Sequence, residues 1–352
     1  MNTLFSAVVA CAALTSAVTP PPATEGSPAA GYAVFQLGKP FGNSTHYFDK
    51  AAGRVVKHYA DWSNGTHFKD QQTGEKIQHF NCDVHQGQAT EHFNKTVRDL
   101  HENYRKGAVG SRSTSLIDRR KVSVPINKVP LYVHVLHKEN EEGVVTQAMA
   151  TNQIAALNKM YNPYGVSFQL QNISWTANDA WAVAAGTDMD DLKKALRVGS
   201  YSALNLYFHT DLSGGVLGTC TLPAPVEPGT PRALYYSDGC NINANTMPGG
   251  SLAGYNQGKT AVHETGHWLG LLHTFEGYSC SGPGDSVADT PVESVSTNGC
   301  PTNPWKNSCA GKSKGDPIHN YMDYSTDACY SKFTNGQVAR ISTMWSTYRQ
   351  GK

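Results

Sequence analysis

The chain has 352 residues, 39 % of them apolar and 16 % charged, and its 29 Lys and Arg nearly balance its 28 Asp and Glu. That apolar content suffices for a packed core and is too high for a disordered protein. No basic stripe stands out, which argues against nucleic acid or an anionic membrane surface as a partner.

The first seventeen residues, MNTLFSAVVACAALTSA, are apolar, carry no charged side chain and end in small residues. The proline-rich VTPPPATEG that follows cannot continue a helix. Residues 1–17 are therefore expected to be a secretory signal, and residues 18–121 a pro-segment. No other stretch approaches the roughly 20 apolar residues that span a bilayer. N-glycosylation triplets begin at Asn43, Asn64, Asn94 and Asn172, which fits export. Short strand-like pieces (GYAVFQL, GRVVKHYA) occur before residue 80, and Gln88–Lys106 has the pattern of an amphipathic helix. The small-residue linker GAVGSRSTSLIDRRK closes on Arg119, Arg120 and Lys121. A processing protease can reach such a segment, and a solvated charge run is the plainer reading of the same residues.

The cysteines agree with export. Cys11 lies in the signal, Cys82 stands alone, and Cys220, Cys240, Cys280, Cys300, Cys309 and Cys329 crowd into the last part of the chain. Six in one region imply three disulfides, for which sequence alone allows fifteen pairings. A structural zinc site is the rival, and no CxxC pair supports it.

From Val122 the pattern tightens. VPLYVHVLHK predicts a strand, TQAMATNQIAALNKMY a helix, VSFQLQNISW a strand, MDDLKKALRVG a short helix and ALNLYFHTDL a strand. GVLGTCTLP and ALYYSDGC are expected as two further short strands. GKTAVHETGHWLGLLH reads as a helix, and TNGQVARISTMWSTYR closes the chain as an amphipathic one. Strand–helix–strand followed by a loop-rich, disulfide-bonded half indicates an α/β domain of roughly 230 residues, 122–352.

The stretch HETGHWLGLLH carries the chemistry. At about 100° per residue, His263 and His267 lie on one helix face, one turn apart, and can point at a single ion. Glu264 sits beside the first of them, within reach of a water on that ion. His273 would face the opposite way on a continued helix, so it joins only if the chain reverses. Gly270 permits that reversal, because it takes positive φ without steric cost. Three neutral imidazoles with one open position suit catalytic zinc, with Glu264 as general base.

This stretch matches the extended HExxHxxGxxH motif of the metzincin metalloproteases. HNYMDY lies about fifty residues on and contains a methionine suited to the turn beneath the metal. Together with ADTP, IHNYMDYSTDAC and FTNGQVARI, the chain from about Val122 to Tyr348 resembles the pappalysin and ulilysin family, most of all its secreted fungal members. The resemblance implies a metzincin-type catalytic domain, with a twisted mixed sheet, an active-site helix and a loop-rich, disulfide-bonded C-terminal half. It also implies His263, His267 and His273 as zinc ligands, Glu264 as base, Met322 as hydrophobic floor and Tyr324 as a donor to the tetrahedral intermediate. Cys280–Cys309, Cys300–Cys329 and Cys220–Cys240 are the implied bridges. Glu276, Asp285, Asp289 and the carbonyl of Thr290 are the implied calcium ligands, and Asp327 is placed near the cleft.

Some metzincin zymogens are kept latent by a pro-segment cysteine. FNCDVH lacks the glycine and proline usual around it, but Cys82 is a candidate, with Asp83 as an alternative blocking ligand, and pairing of the lone cysteine with another chain is the competing reading. The expectation is thus a secreted, extracellular, monomeric zinc endopeptidase made as a precursor and acting on protein or peptide substrates. A secreted zinc-containing binding or adhesion module without catalysis is the alternative, and a zinc hydrolase of esters or sugars a further one.

Overall fold

A computed structural model describes residues 80–84, 86–110 and 125–352, except 304, 310, 312 and 313, together with four short strands between 46 and 78. The expected signal, the strand-like GYAVFQL, Asn43, Asn64 and the basic cluster at 119–121 lie outside the described residues. The four early strands form two antiparallel hairpins: β1 (His46–Asp49) with β2 (Arg54–Lys57), and β3 (His67–Lys69) with β4 (Lys76–Gln78). Helix α1 spans Glu91–Gly110.

The remaining strands form one five-stranded sheet in the order β6-β5-β7-β9-β8. Strands β5 (Ile126–His137), β6 (Val166–Ala177), β7 (Leu204–His209) and β9 (Cys240–Asn243) run parallel. β8 (Gly218–Cys220) closes the edge antiparallel to β9. All six residues of the central β7 are buried, as a strand covered on both faces requires. Leu206 and Phe208 join the main core beside Leu131, Val133 and Val135. Tyr207, pointing the other way, joins Leu136, Leu192 and Leu212. Between them come α2 (Gln147–Tyr161), α3 (Asp179–Val183) and α4 (Asp188–Leu196). Three aspartates in the first turn of α4 and two lysines in its last favour that helix through its dipole.

One expected strand is a helix. ALYYSDGC supplies α5 (Arg232–Ser237), and the strand begins only at Cys240. Tyr235 and Tyr236 suggest pleating, but Pro231 precedes good helix formers, and Arg232 lies over the ring of Tyr236 one turn on, 5.3 Å from its centroid.

Helix α6 (Lys259–Trp268) is buried along its whole length. Helix α2 grips it twice: Tyr161 donates to the carbonyl of Val262 at 2.8 Å, and Gln153 donates to that of Gly258 at 3.0 Å. From Leu269 to Phe333 the chain is loop, tied by disulfides Cys280–Cys309 and Cys300–Cys329, while Cys220–Cys240 joins β8 to β9. Helix α7 (Asn335–Met344) starts with a capping box between Thr334 and Gln337 and runs into one π-helical turn, Trp345–Arg349.

Candidate active site

Helix α6 ends where the chain needs it to. Gly270 sits at φ +90°, its N–H donates to the carbonyl of His267 at 2.8 Å, and that of Leu271 donates to Gly266 at 2.9 Å. This pair of bonds is the Schellman C-cap. The reversal carries His273 back to the other two histidines. The three Nε2 atoms stand 3.1, 3.1 and 3.2 Å apart, all three residues being buried.

The contact between His263 and His267 is not a hydrogen bond. His263 Nδ1 donates to the carbonyl of Tyr321 at 2.7 Å, and His267 Nδ1 to that of Leu271 at 2.9 Å. Both protons are then on Nδ1, which leaves both Nε2 atoms as bare lone pairs facing each other. Buried lone pairs at that distance repel unless a cation lies between them. Tetrahedral zinc with bonds of about 2.0–2.1 Å needs nitrogens roughly 3.3 Å apart. The donor set therefore fits zinc. Burial also pushes His263 down to about 3, which keeps the imidazole neutral, as ligation requires.

Glu264 is fully buried, with Oε2 3.4 Å from the Cys82 sulfur that lies among the three imidazole nitrogens. Its Oε1 has no hydrogen-bond partner, and burial pushes its carboxyl up to about 8. A nearby divalent cation would supply the missing counter-charge. Met322 is wholly buried with its Sδ against Gly266, and its carbonyl accepts from Thr274 N–H at 3.2 Å. The turn 320–323 thus supports both the helix and the third histidine. The Tyr324 ring lies 5.1 Å from that of His273 and 5.8 Å from that of His263.

The site is plugged by the chain itself. Cys82 Sγ lies with the three imidazole nitrogens in one cluster no wider than 4.8 Å, and its thiol donates to Glu264 Oε2 at 3.4 Å. Burial, then the Glu264 charge, pushes that thiol well up. Tyr324 hydroxyl donates to the Cys82 carbonyl at 2.7 Å and accepts from its N–H at 3.1 Å. Cys82 bridges Gly218 in parallel, and Leu217 N–H donates to the Asn81 carbonyl at 2.8 Å, so residues 81–82 extend the sheet beyond β8. Phe80 covers the rings of His263 and Tyr324 at 4.9 and 4.8 Å.

Several expected residues lie elsewhere. Asp83, the alternative blocking ligand, is exposed and outside the histidine cluster. The carboxylates of the calcium set form no common cluster among the described residues. Glu276 Oε1 accepts from Gln86 N–H at 3.2 Å, in the stretch expected to be the pro-segment. Asp289 accepts from Thr334 hydroxyl at 2.8 Å and Gly336 N–H at 2.9 Å, at the start of α7. Asp285 is buried, accepts from Val287 N–H at 2.9 Å and is pushed up to about 7 by that burial, against the pull of Arg340. Arg340 donates to the carbonyls of Asp285 and Ser286. A guanidinium thus occupies part of the loop where a cation was expected.

Asp327 is fully buried, accepting from Gln257 N–H at 2.7 Å at the approach to α6. Asn172 is exposed on the edge strand β6, whereas Asn94 is half-buried with Oδ1 enclosed.

One residue that sequence reasoning missed is Gly218. A Cβ there would stand 2.4 Å from Glu264 Oε1. No local signal marks it, since Leu-Gly-Thr reads as ordinary edge strand.

The peptidase M43 family, described as pregnancy-associated plasma protein-A, matches residues 199–345. An extracellular metalloprotease of Podospora anserina is 44 % identical over 254 residues, covering 71 % of this chain and 82 % of that protein. One from Aspergillus fumigatus is 42 % identical over 281 residues, covering 71 % and 86 %. Among solved structures, Tannerella forsythia mature mirolysin in complex with a cleaved peptide aligns with TM-score 0.55 and 28 % identity, over 63 % of this chain and 92 % of that one. A promirolysin mutant from the same organism aligns with TM-score 0.58 and 26 % identity, over 76 % and 94 %.

Proposed function

The chain belongs to the peptidase M43 family of metalloendopeptidases, metzincins that use catalytic zinc, and from that premise we propose that it is a secreted endopeptidase made as a latent precursor, with Glu264 as general base. The proposed organisation is a signal at 1–17, a pro-segment at 18–121 and a catalytic domain at 122–352. The observation that carries the reading is the triangle of Nε2 atoms on His263, His267 and His273, with the Glu264 carboxylate nearby. That relatives are named extracellular metalloproteases supports export, and an exposed Asn172 suits a glycan.

His263, His267 and His273 would hold the zinc, which when bound would supply Lewis-acid chemistry for the attacking water and the scissile carbonyl. Glu264 takes the proton of that water at Oε2, the oxygen the Cys82 thiol now occupies, and returns it to the leaving amide nitrogen. Tyr324 hydroxyl, which now donates to the Cys82 carbonyl, donates to the substrate carbonyl oxygen as charge builds there. Met322, packed against Gly266 of α6, forms the floor of the site by packing alone. Leu217–Cys220 forms the edge along which an extended peptide pairs, as residues 81–82 do in the precursor. Main-chain pairing of this kind gives affinity with little sequence selectivity. Mirolysin's complex with a cleaved peptide supports a peptide in this cleft.

Cys82 would keep the precursor latent because its sulfur lies among the three imidazole nitrogens and could act as a further ligand to a metal held there. The zymogen neighbour promirolysin supports a precursor form.

A zinc-containing binding module without catalysis makes no use of a carboxylate beside the first ligand. Glu264→Ala separates the two readings. Casein cleavage by the matured chain should fall by about 10²–10⁴-fold while zinc stays near one per chain. Equal cleavage by both proteins sinks the peptidase mechanism.

A further inference from the structure

The pro-segment touches the catalytic domain at a second place, distinct from the Cys82 contact. Helix α1 buries Phe93 and Val97 completely against Leu272, Met344 and Tyr348, with Leu100 and Leu222 at the margin. This cluster is separate from the main core, to which Phe80, Cys82 and Val84 belong. The Tyr348 hydroxyl bonds to His92 Nδ1 at 2.7 Å and to Thr96 Oγ1 at 2.9 Å. The opposite face of the helix is solvated and carries the exposed pair Lys95–Asp99.

We infer that the face formed by Leu222, Leu272, Met344 and Tyr348 is a docking surface for α1, and that it retains the pro-segment after a single cut beyond the helix. The inference rests on the precursor reading above. A cut within 111–121 severs the covalent link and leaves both footholds intact. Each foothold then raises the effective concentration of the other, so the thiol plug keeps returning to the cleft. Between the two lie the exposed Gly87 and Gln88, and a cut there parts plug from anchor. Full release therefore takes a second event, namely cleavage between 84 and 91 or loosening of the helix.

The test uses the full precursor carrying Glu264→Ala, so that it cannot digest itself, with a site for a sequence-specific protease placed at 112–117. After the cut, the fragment should co-elute with the catalytic domain in gel filtration, with or without a chelator. Adding Cys82→Ser should leave that retention in place. Adding Phe93→Ala with Val97→Ala should weaken it at least about a hundredfold, given two fully buried apolar side chains. If that pair fails to fold, Tyr348→Phe, which removes only a hydroxyl, should speed dissociation about tenfold. Loss of the unaltered fragment at micromolar concentration, or release by Cys82→Ser alone, overturns the inference. Retention is read in an inactive background, so its failure leaves the casein test untouched, and the converse holds too.

Discussion

Alanine at position 270 would adopt φ +90° at a cost of about 1 kcal/mol, and its Cβ would also stand 2.4 Å from Met344 Cγ. Gly270→Ala is therefore expected to cost more than about 2 kcal/mol and to move His273 off the other two imidazoles. Thermal unfolding and zinc analysis should both report the loss, and full zinc content in a normally folded variant would contradict the corner role of Gly270. Cys82→Ser tests the neighbouring contact. Serine can keep the backbone bonds to Tyr324 but lacks the soft sulfur that faces the histidines. The uncut precursor should gain casein activity, and activity identical to that of the unaltered precursor would remove the thiol from the latency mechanism. Both residues could be singled out in the sequence, one by its place in the motif and one by being an odd cysteine. Gly218 could not, because what it must avoid, Glu264 Oε1, is 46 residues away in the chain and 2.4 Å from its Cβ position.

Among the elements, α7 gives Asp289, expected as a calcium ligand, a structural contact of its own. Its capping box joins Thr334 and Gln337, and Asp289 adds bonds to Thr334 hydroxyl and Gly336 N–H. A carboxylate at a helix N-terminus is favoured by the unsatisfied N–H groups and the dipole. Asp289→Ala should thus cost about 1–2 kcal/mol in urea unfolding, with calcium altering neither protein's midpoint. A calcium-dependent rise in the parent that Asp289→Ala abolishes would restore the ligand role. Most helices and strands were readable from apolar periodicity. α5 was not, since a six-residue element is too short for period to separate helix from strand, and Pro231 with the Arg232–Tyr236 contact decided it.

Across the molecule, one buried carboxylate ties distant parts together. Asp238 accepts from Arg349 at 3.0 and 3.2 Å, from Arg197 at 3.3 Å, from Trp268 Nε1 at 3.1 Å and from Thr221 hydroxyl at 3.1 Å. It links the chain's last turn, the end of α6, the segment after α4 and the strand edge. Burial alone would raise its pKa, but Arg349 and Arg197 outweigh that and hold it below the usual 3.8. The sign follows from linkage. The stabilisation is complete above the unfolded carboxyl value and is lost as pH falls below it through the folded value. Asp238→Asn leaves two buried guanidiniums without their counter-charge and should cost about 3–5 kcal/mol at neutral pH. Its stability should also vary less with pH than the parent's below about pH 4. Equal urea midpoints for the two proteins would show the network to be expendable.

The sequence by itself determined the histidine tripod, the carboxylate beside it and the turn that assembles them, because all lie within eleven residues and helix geometry with one glycine relates them. It also indicated the strands that alternate and the helices that repeat, since those periods are local. Only the tertiary structure decided what fills the cleft and what holds the filling there. Cys82 meets Glu264 and Tyr324, and Phe93 meets Tyr348, across 182 to 255 residues of chain. Such contacts depend on where the β8 edge and the last turn come to rest after the whole core is buried, and no spacing in the sequence encodes that.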